Sequence, residues 1–231
     1  NVLVSPESLK GSHDYSFSSN GTYAKHSFSN HYTPRASEFI TVRNHKALSK
    51  EESIVNTVNK LKGKSSSEFF TIKTADEVEM DGWMVKPTNF DLSKKYPVVF
   101  YVYSEPAMTT VNDTYNVSRN WFYDGNMAED GYIYISLDNR GTPAPKGRAW
   151  RKSIYKKIGV VNIKDQAMAA KEILKWDFVD SERVAVWGHS GGGSATLNLM
   201  FRYPAIYKTG ISLSAVVNQL TYDNIYQERY M

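Results

Sequence analysis

The stretch Arg183-Val184-Ala185-Val186-Trp187-Gly188-His189-Ser190-Gly191-Gly192 decides the fold. Its first half is apolar without alternation, which reads as a strand buried on both faces of a sheet. Its second half, from Gly188 to Gly192, fits the nucleophile elbow G-x-S-x-G. At ordinary glycine usage such a match arises by chance in roughly one chain in ten of this length. The setting therefore decides. The motif follows the strand directly and opens a helix that runs to Arg202-Tyr203, before Pro204. A strand, a sharp turn and a helix are what the motif requires. Side chains in place of its glycines would collide with the neighbouring strand and helix. The Ser190 hydroxyl then projects at the C-terminal edge of the sheet, where such folds hold their ligands. The Gly191 amide, at the helix start, points to where an oxyanion would form.

Outward from this stretch, residues 98–103, 132–137 and 209–213 are further apolar strands. Their near-continuous hydrophobicity predicts a parallel sheet covered by helices. One covering helix is legible: Asn162 at its cap, Asp165 at its positive end, and Ile163, Ala167, Ala170, Ile173 and Leu174 on one stripe. Strands alternating with helices predict a doubly wound α/β fold. Residues 69–72 and 78–85 predict an opening antiparallel hairpin turning at Asp81-Gly82.

Upstream the pattern differs. Residues 15–18 and 22–29 alternate around Ser19-Asn20-Gly21, a strong hairpin signal. Residues 1–48 therefore read as part of an antiparallel β-domain, too small to stand alone, whose other strands are expected before Asn1. Ser49-Lys50-Glu51-Glu52 is a capping box, Ile54, Val55, Val58 and Leu61 repeat at helical spacing, and Gly63 supplies the stop. Residues 49–67 read as a linker helix and connector, and 68–231 as the α/β domain.

The chain has 231 residues, enough to bury a core without a disulfide or metal staple. It has no cysteine, which excludes a disulfide scaffold, a thiol nucleophile and Cys-ligated zinc or iron–sulfur sites. The longest apolar run, residues 98–103, is far short of a bilayer span. The first residue is Asn, not Met, and nothing there resembles a signal peptide, so a processed product or excised piece is expected. Net charge is +4, and the excess is local. Between Asp138 and Asp165 lie Arg140, Lys146, Arg148, Arg151, Lys152, Lys156, Lys157 and Lys164, with no acid among them. No nucleic-acid motif accompanies the charge, so it reads as a solvated loop beside a site, or one facing another subunit. Asp76, Glu77, Glu79 and Asp81 read as a solvated hairpin rather than a metal site. No metal or other cofactor is expected.

Lys95-Tyr96-Pro97 before an apolar strand ending Val102-Tyr103, Asp138-Asn139-Arg140-Gly141, Phe178-Val179-Asp180, the elbow, and Tyr226-Gln227-Glu228-Arg229-Tyr230-Met231 together resemble the prolyl oligopeptidase superfamily of serine peptidases. The branch they resemble is that of dipeptidyl peptidase IV. The resemblance covers nearly the whole chain. It implies that residues 1–48 are the end of a β-propeller and that residues 68–231 are an α/β-hydrolase domain lacking its last strands. By the same resemblance Ser190 is the acylating nucleophile, Gly191 and Tyr103 supply the oxyanion hole, and Val216, Tyr222 and Tyr226 wall the pocket for a proline ring. Val216 reads equally well as ordinary packing. Three departures widen that pocket or change its chemistry. Gly191 stands where relatives carry an aromatic residue, Gln219 where many have tryptophan, and Glu105 where a small residue is usual.

The hydrolase order places Asp and then His after the serine. The 41 residues after Ser190 hold Asp223 and Glu228 but no histidine; the five histidines, at 13, 26, 31, 45 and 189, all precede Met231 by way of preceding Ser190. The triad Asp and His are expected beyond Met231, and the chain alone is expected to be inactive. The leading expectation is a serine exopeptidase releasing short N-terminal peptides after proline or a small residue. An esterase-type acyl hydrolase and a non-catalytic fragment are the alternatives. A peptide substrate, no nucleic acid, no membrane span, a homodimer and an exported bacterial location complete the expectation.

Overall fold

The computed structural model describes residues 4–49, 53–61 and 67–230. They form two compact units: Asn1–Ser66 with Asn112–Arg119, and Ser67–Val111 with Asn120–Met231.

In the first unit, alternation and turn chemistry give a four-stranded antiparallel meander in sequential order: β1 (Ser12–Phe17), β2 (Tyr23–Asn30), β3 (Thr33–Thr41) and β4 (Lys46–Ala47). The Ser19-Asn20-Gly21 turn is present. Gly21 takes a φ of 69°, where a side chain would be strained, and its amide donates to Ser18 O at 2.9 Å. Helix α1 (Ile54–Leu61) buries Ile54 and Val58 against Leu9 and Phe28. Its amphipathic spacing is why it forms. Of the expected capping box, Lys50, Glu51 and Glu52 lie outside the described residues, as do Gly63 and the rest of the connector through Ser66. The helix start is instead met by a tertiary group: Glu38 Oε2 accepts from the Ile54 amide at 3.1 Å. The other oxygen of Glu38 accepts from His26 Nδ1 at 2.9 Å, and His26 in turn pairs with His13.

The second unit carries a six-stranded sheet. Its strands are β5 (Ser67–Lys73), β6 (Glu79–Val85), β7 (Tyr96–Tyr101), β8 (Ile133–Leu137), β9 (Val179–His189) and β10 (Thr209–Leu213), in the order β10-β9-β7-β8-β6-β5. The four apolar strands β10, β9, β7 and β8 are parallel, and β6 and β5 run antiparallel to their neighbours. Val98, Phe100, Ile133, Ile135, Val184 and Val186 are almost fully buried with Ile163, Ala167, Ala170 and Ile173 of α3 (Val161–Ile173). Burying each large apolar side chain contributes about 1.5–3 kcal/mol. Helix α4 (Gly191–Arg202) continues from the elbow and packs on β9 and β10. Two shorter helices, α2 (Gly147–Lys152) and α5 (Asn224–Tyr230), complete the unit. This is the α/β-hydrolase architecture.

Two local expectations are corrected. The β5–β6 hairpin turns at residues 74–78, not at Asp81-Gly82: Thr74 and Val78 close it, and Glu77 adopts a φ of 65°. Asp81 and Gly82 sit in mid-strand opposite Thr71 and Phe70. Gly82 is there because the Phe70 ring covers it; a Cβ would stand 2.7 Å from the ring. Asn162 is inside α3 rather than at its cap, which is Val160. Its buried side chain is committed to the neighbouring loop, as described below.

Candidate active site

Ser190 has φ 57° and ψ −119°, a conformation that costs a non-glycine residue on the order of 1–3 kcal/mol. Its neighbours hold it there. The Ser190 amide donates to Leu213 O at 2.9 Å, and its carbonyl accepts from the Ser194 amide at 3.1 Å. A Cβ on Gly188 or Gly192 would run into the Val102 carbonyl, so both positions require glycine. The turn thus presses against the end of β7, and Tyr103 Cα lies 3.2 Å from where a Gly192 Cβ would be. Ser190 is half-buried, and its hydroxyl has no hydrogen-bond partner among the described residues. His189 is exposed and stacks on Phe122 with ring centroids 5.6 Å apart.

β7 ends at Tyr101, so Tyr103 stands just beyond the strand rather than at its tip. The next residue, Ser104, is buried and takes a left-handed φ of 66°. Two asparagines hold this kink. Asn139 Nδ2 donates to Ser104 O, and Asn162 Nδ2 donates to Ser104 Oγ, each at 3.0 Å. Gln166 Nε2 donates to Asn139 Oδ1 at 3.0 Å, and the Gly159 amide donates to Asn162 Oδ1 at 2.8 Å. Farther along the loop, Asp138 accepts from the Thr110 amide at 2.9 Å and from the Val111 amide at 3.2 Å. Burial pushes the Asp138 carboxyl up to about 6 despite these bonds. Residues 103–111 are therefore tied down at both ends. The sequence marks Asp138 and Asn139 only as part of the family-like segment Asp138-Asn139-Arg140-Gly141, and Asn162 only as a helix cap; nothing in it ties them to residues 104–111.

Glu105 occupies the space above Gly191. A Cβ on Gly191 would stand 2.5 Å from Glu105 Oε2. That oxygen accepts from the Tyr226 hydroxyl at 2.5 Å. Burial pushes the Glu105 carboxyl up, and the Tyr226 bond works against it. The Tyr226 phenol is pushed well above its ordinary value by burial and then by Glu105. Tyr103 is pushed up by the same two causes, burial first, so it remains a hydrogen-bond donor at neutral pH.

Beside these residues is a cavity of about 250 Å³, lined by Glu105, Asn162, Ser194, Asn198, Val216 and Gln219 among others. Val216 is placed by Ser194, whose Oγ accepts from the Val216 amide at 2.9 Å and donates to its carbonyl at 3.0 Å. Tyr222 packs edge-on to Tyr226 at 5.6 Å, and of the three expected pocket residues only Val216 lines this cavity. Glu105 links the groups: it lines the cavity with Val216, covers Gly191 beside Ser190, and accepts from Tyr226, while Tyr222 lies close enough to Tyr103 to raise its phenol.

The basic stretch is partly neutralised. Arg140 forks onto the buried Asp165, Lys164 pairs with Asp76, and Lys146 pairs with Asp81. Arg148, Arg151 and Lys152 instead line a separate cavity of about 620 Å³ with Arg229. The acidic hairpin residues Asp76 and Asp81 are likewise paired with lysines, not gathered around a common point.

A sheet of this topology, with a strained serine between β9 and α4, defines a serine-elbow α/β-hydrolase. The family model described as the prolyl oligopeptidase family matches residues 122–231. The crystal structure of Porphyromonas gingivalis dipeptidyl peptidase 4 superposes with a TM-score of 0.84 at 36% identity, over 96% of this chain and 31% of that one. Dipeptidyl peptidase 4 of Trichophyton rubrum is 35% identical over 163 residues, 71% of this chain and 21% of that protein. The same enzyme of Arthroderma otae is 36% identical over the same share of each. The chain belongs to the prolyl oligopeptidase family, in its dipeptidyl peptidase IV branch. It spans about a fifth of the length of these curated relatives. No helix among the described residues is long and apolar enough to cross a membrane.

Proposed function

We propose that the protein is a serine exopeptidase that releases short peptides from N-termini, with Ser190 as nucleophile. The observation that carries this reading is the strained elbow itself, which holds a hydroxyl with no partner among the described residues next to the Gly191 amide. In the reaction Ser190 Oγ bonds to the scissile carbonyl carbon and gives up its proton to a base. The Gly191 amide and the Tyr103 hydroxyl donate to the oxyanion that forms. The C–N bond then breaks as the base returns the proton to the leaving amine, and water hydrolyses the acyl-enzyme. Turnover needs that base, and His189 is turned onto Phe122.

Val216, Tyr222 and Tyr226 are proposed as pocket residues, and the first unit as the closing part of a β-propeller. An exported location and a homodimer complete the reading, with cell fractionation and sedimentation as their tests. The central test is labelling of the protein at its natural length with a fluorophosphonate probe. Labelling is expected in the wild type and lost in Ser190→Ala. Equal labelling of both would overturn the proposal.

A further inference from the structure

The cavity beside Ser190 is not the apolar slot that a proline ring would fill. Several of its polar groups are spent inside the protein: Asn162 Nδ2 on Ser104, Asn198 Nδ2 on Ser194 O, and the Ser194 hydroxyl on Val216 O. Two acceptors are left open. Gln219 Oε1 is buried and accepts from nothing among the described residues. Glu105 uses one oxygen on Tyr226, and among the described residues no lysine, arginine or histidine pairs with its carboxylate. A buried carboxylate without a cation is an arrangement that a positively charged ligand would relieve.

Position adds to chemistry. Glu105 Oε2 stands where the side chain of the residue after the nucleophile would begin, so the carboxylate is one residue from the acylated oxygen. A group this near Ser190 faces the side chain of the substrate residue whose carbonyl is cut, the P1 residue. A volume of about 250 Å³ holds roughly eight waters at their liquid volume of ~30 Å³ each, enough for a long side chain.

From the open acceptors, and on the reading that Ser190 is the nucleophile, we propose that Glu105 and Gln219 make this a cation pocket, selecting substrates with lysine or arginine at P1. Glu105 is its specificity-determining residue. An ammonium or guanidinium supplies only donors, which suits the open oxygens of Glu105 and Gln219. Hydrogen bonds to charged groups shift an equilibrium by roughly ten- to a hundred-fold.

The test uses the protein at its natural length and dipeptide anilides that differ only at P1: lysine, its neutral near-isostere norleucine, and proline. The expected kcat/KM for lysine exceeds that for norleucine by about tenfold or more, and Glu105→Gln brings this ratio close to one. Because the ratio is taken within one preparation, a partly folded variant leaves it readable, and fluorophosphonate labelling of the variant reports its intact elbow. Hydrolysis of proline or norleucine substrates with a wild-type lysine ratio of one or less overturns the cation pocket while leaving the peptidase standing. A ratio unchanged in Glu105→Gln removes Glu105 as its cause. Neither hydrolysis nor labelling would overturn the peptidase reading, and this inference with it.

Discussion

Tyr226 and Asp138 show how single groups set the chemistry of this unit. Tyr226→Phe deletes the one donor to Glu105 among the described residues and leaves a buried carboxyl short of a partner. We expect a loss of about 1–3 kcal/mol, read from the urea midpoint. Asp138 has its carboxyl raised to about 6 from an ordinary 3.8. A folded-state value above the unfolded one means that the folded protein holds the proton more tightly. The contribution of Asp138 to stability is therefore full below about pH 4 and lost as pH rises through about 6, by about 3 kcal/mol. The stability difference between wild type and Asp138→Asn should shrink across that window and be flat above it; a difference independent of pH would contradict the assignment. Ser190 was legible because strand, glycine and serine are adjacent in the chain. Glu105 was visible only as a departure at its own position. That it fills the space over Gly191 depends on a contact between residues 86 apart, which no local pattern encodes.

At the level of elements, the elbow and the loop of residues 103–111 are built against each other. Asn162→Ala removes one of the two bonds that hold the Ser104 kink. It should cost about 1–3 kcal/mol and lower the rate of fluorophosphonate labelling, because Tyr103 flanks that kink. Gly192→Ala should have a larger effect on labelling, since its methyl group would meet the Val102 carbonyl at the end of β7. Retained far-UV circular dichroism with lost labelling is the expected outcome; normal labelling would show that the turn tolerates the methyl. The four apolar strands and the covering stripe of α3 were legible from hydrophobic runs and spacing. The β5–β6 turn was not. Asp-Gly is a strong local signal, but the Phe70 ring across the strand decides where that glycine goes. Asn162 was misread for a related reason: its cap-like residue type serves a loop 58 residues away.

Across the whole molecule, the two units keep separate cores. Ile54 is fully buried with Leu9, Phe28 and Val58. Ile54→Ala should cost the first unit about 2–5 kcal/mol, and hydrogen exchange should locate the added opening there, with the second unit's amides unchanged. The space shared by Gly191 and Glu105 also bears on how this protein can change. A bulky residue at 191 and the Glu105 carboxylate claim the same space, so position 191 can enlarge only if the Glu105 side chain moves or is shortened. Gly191→Tyr must displace the Glu105 carboxylate from Tyr226 unless residue 105 is already small, and the intermediate with both sites small has a hole beside its serine. The two substitutions should therefore show strong positive epistasis, and a lineage that has crossed from one pairing to the other is held on its side by the poverty of the step between.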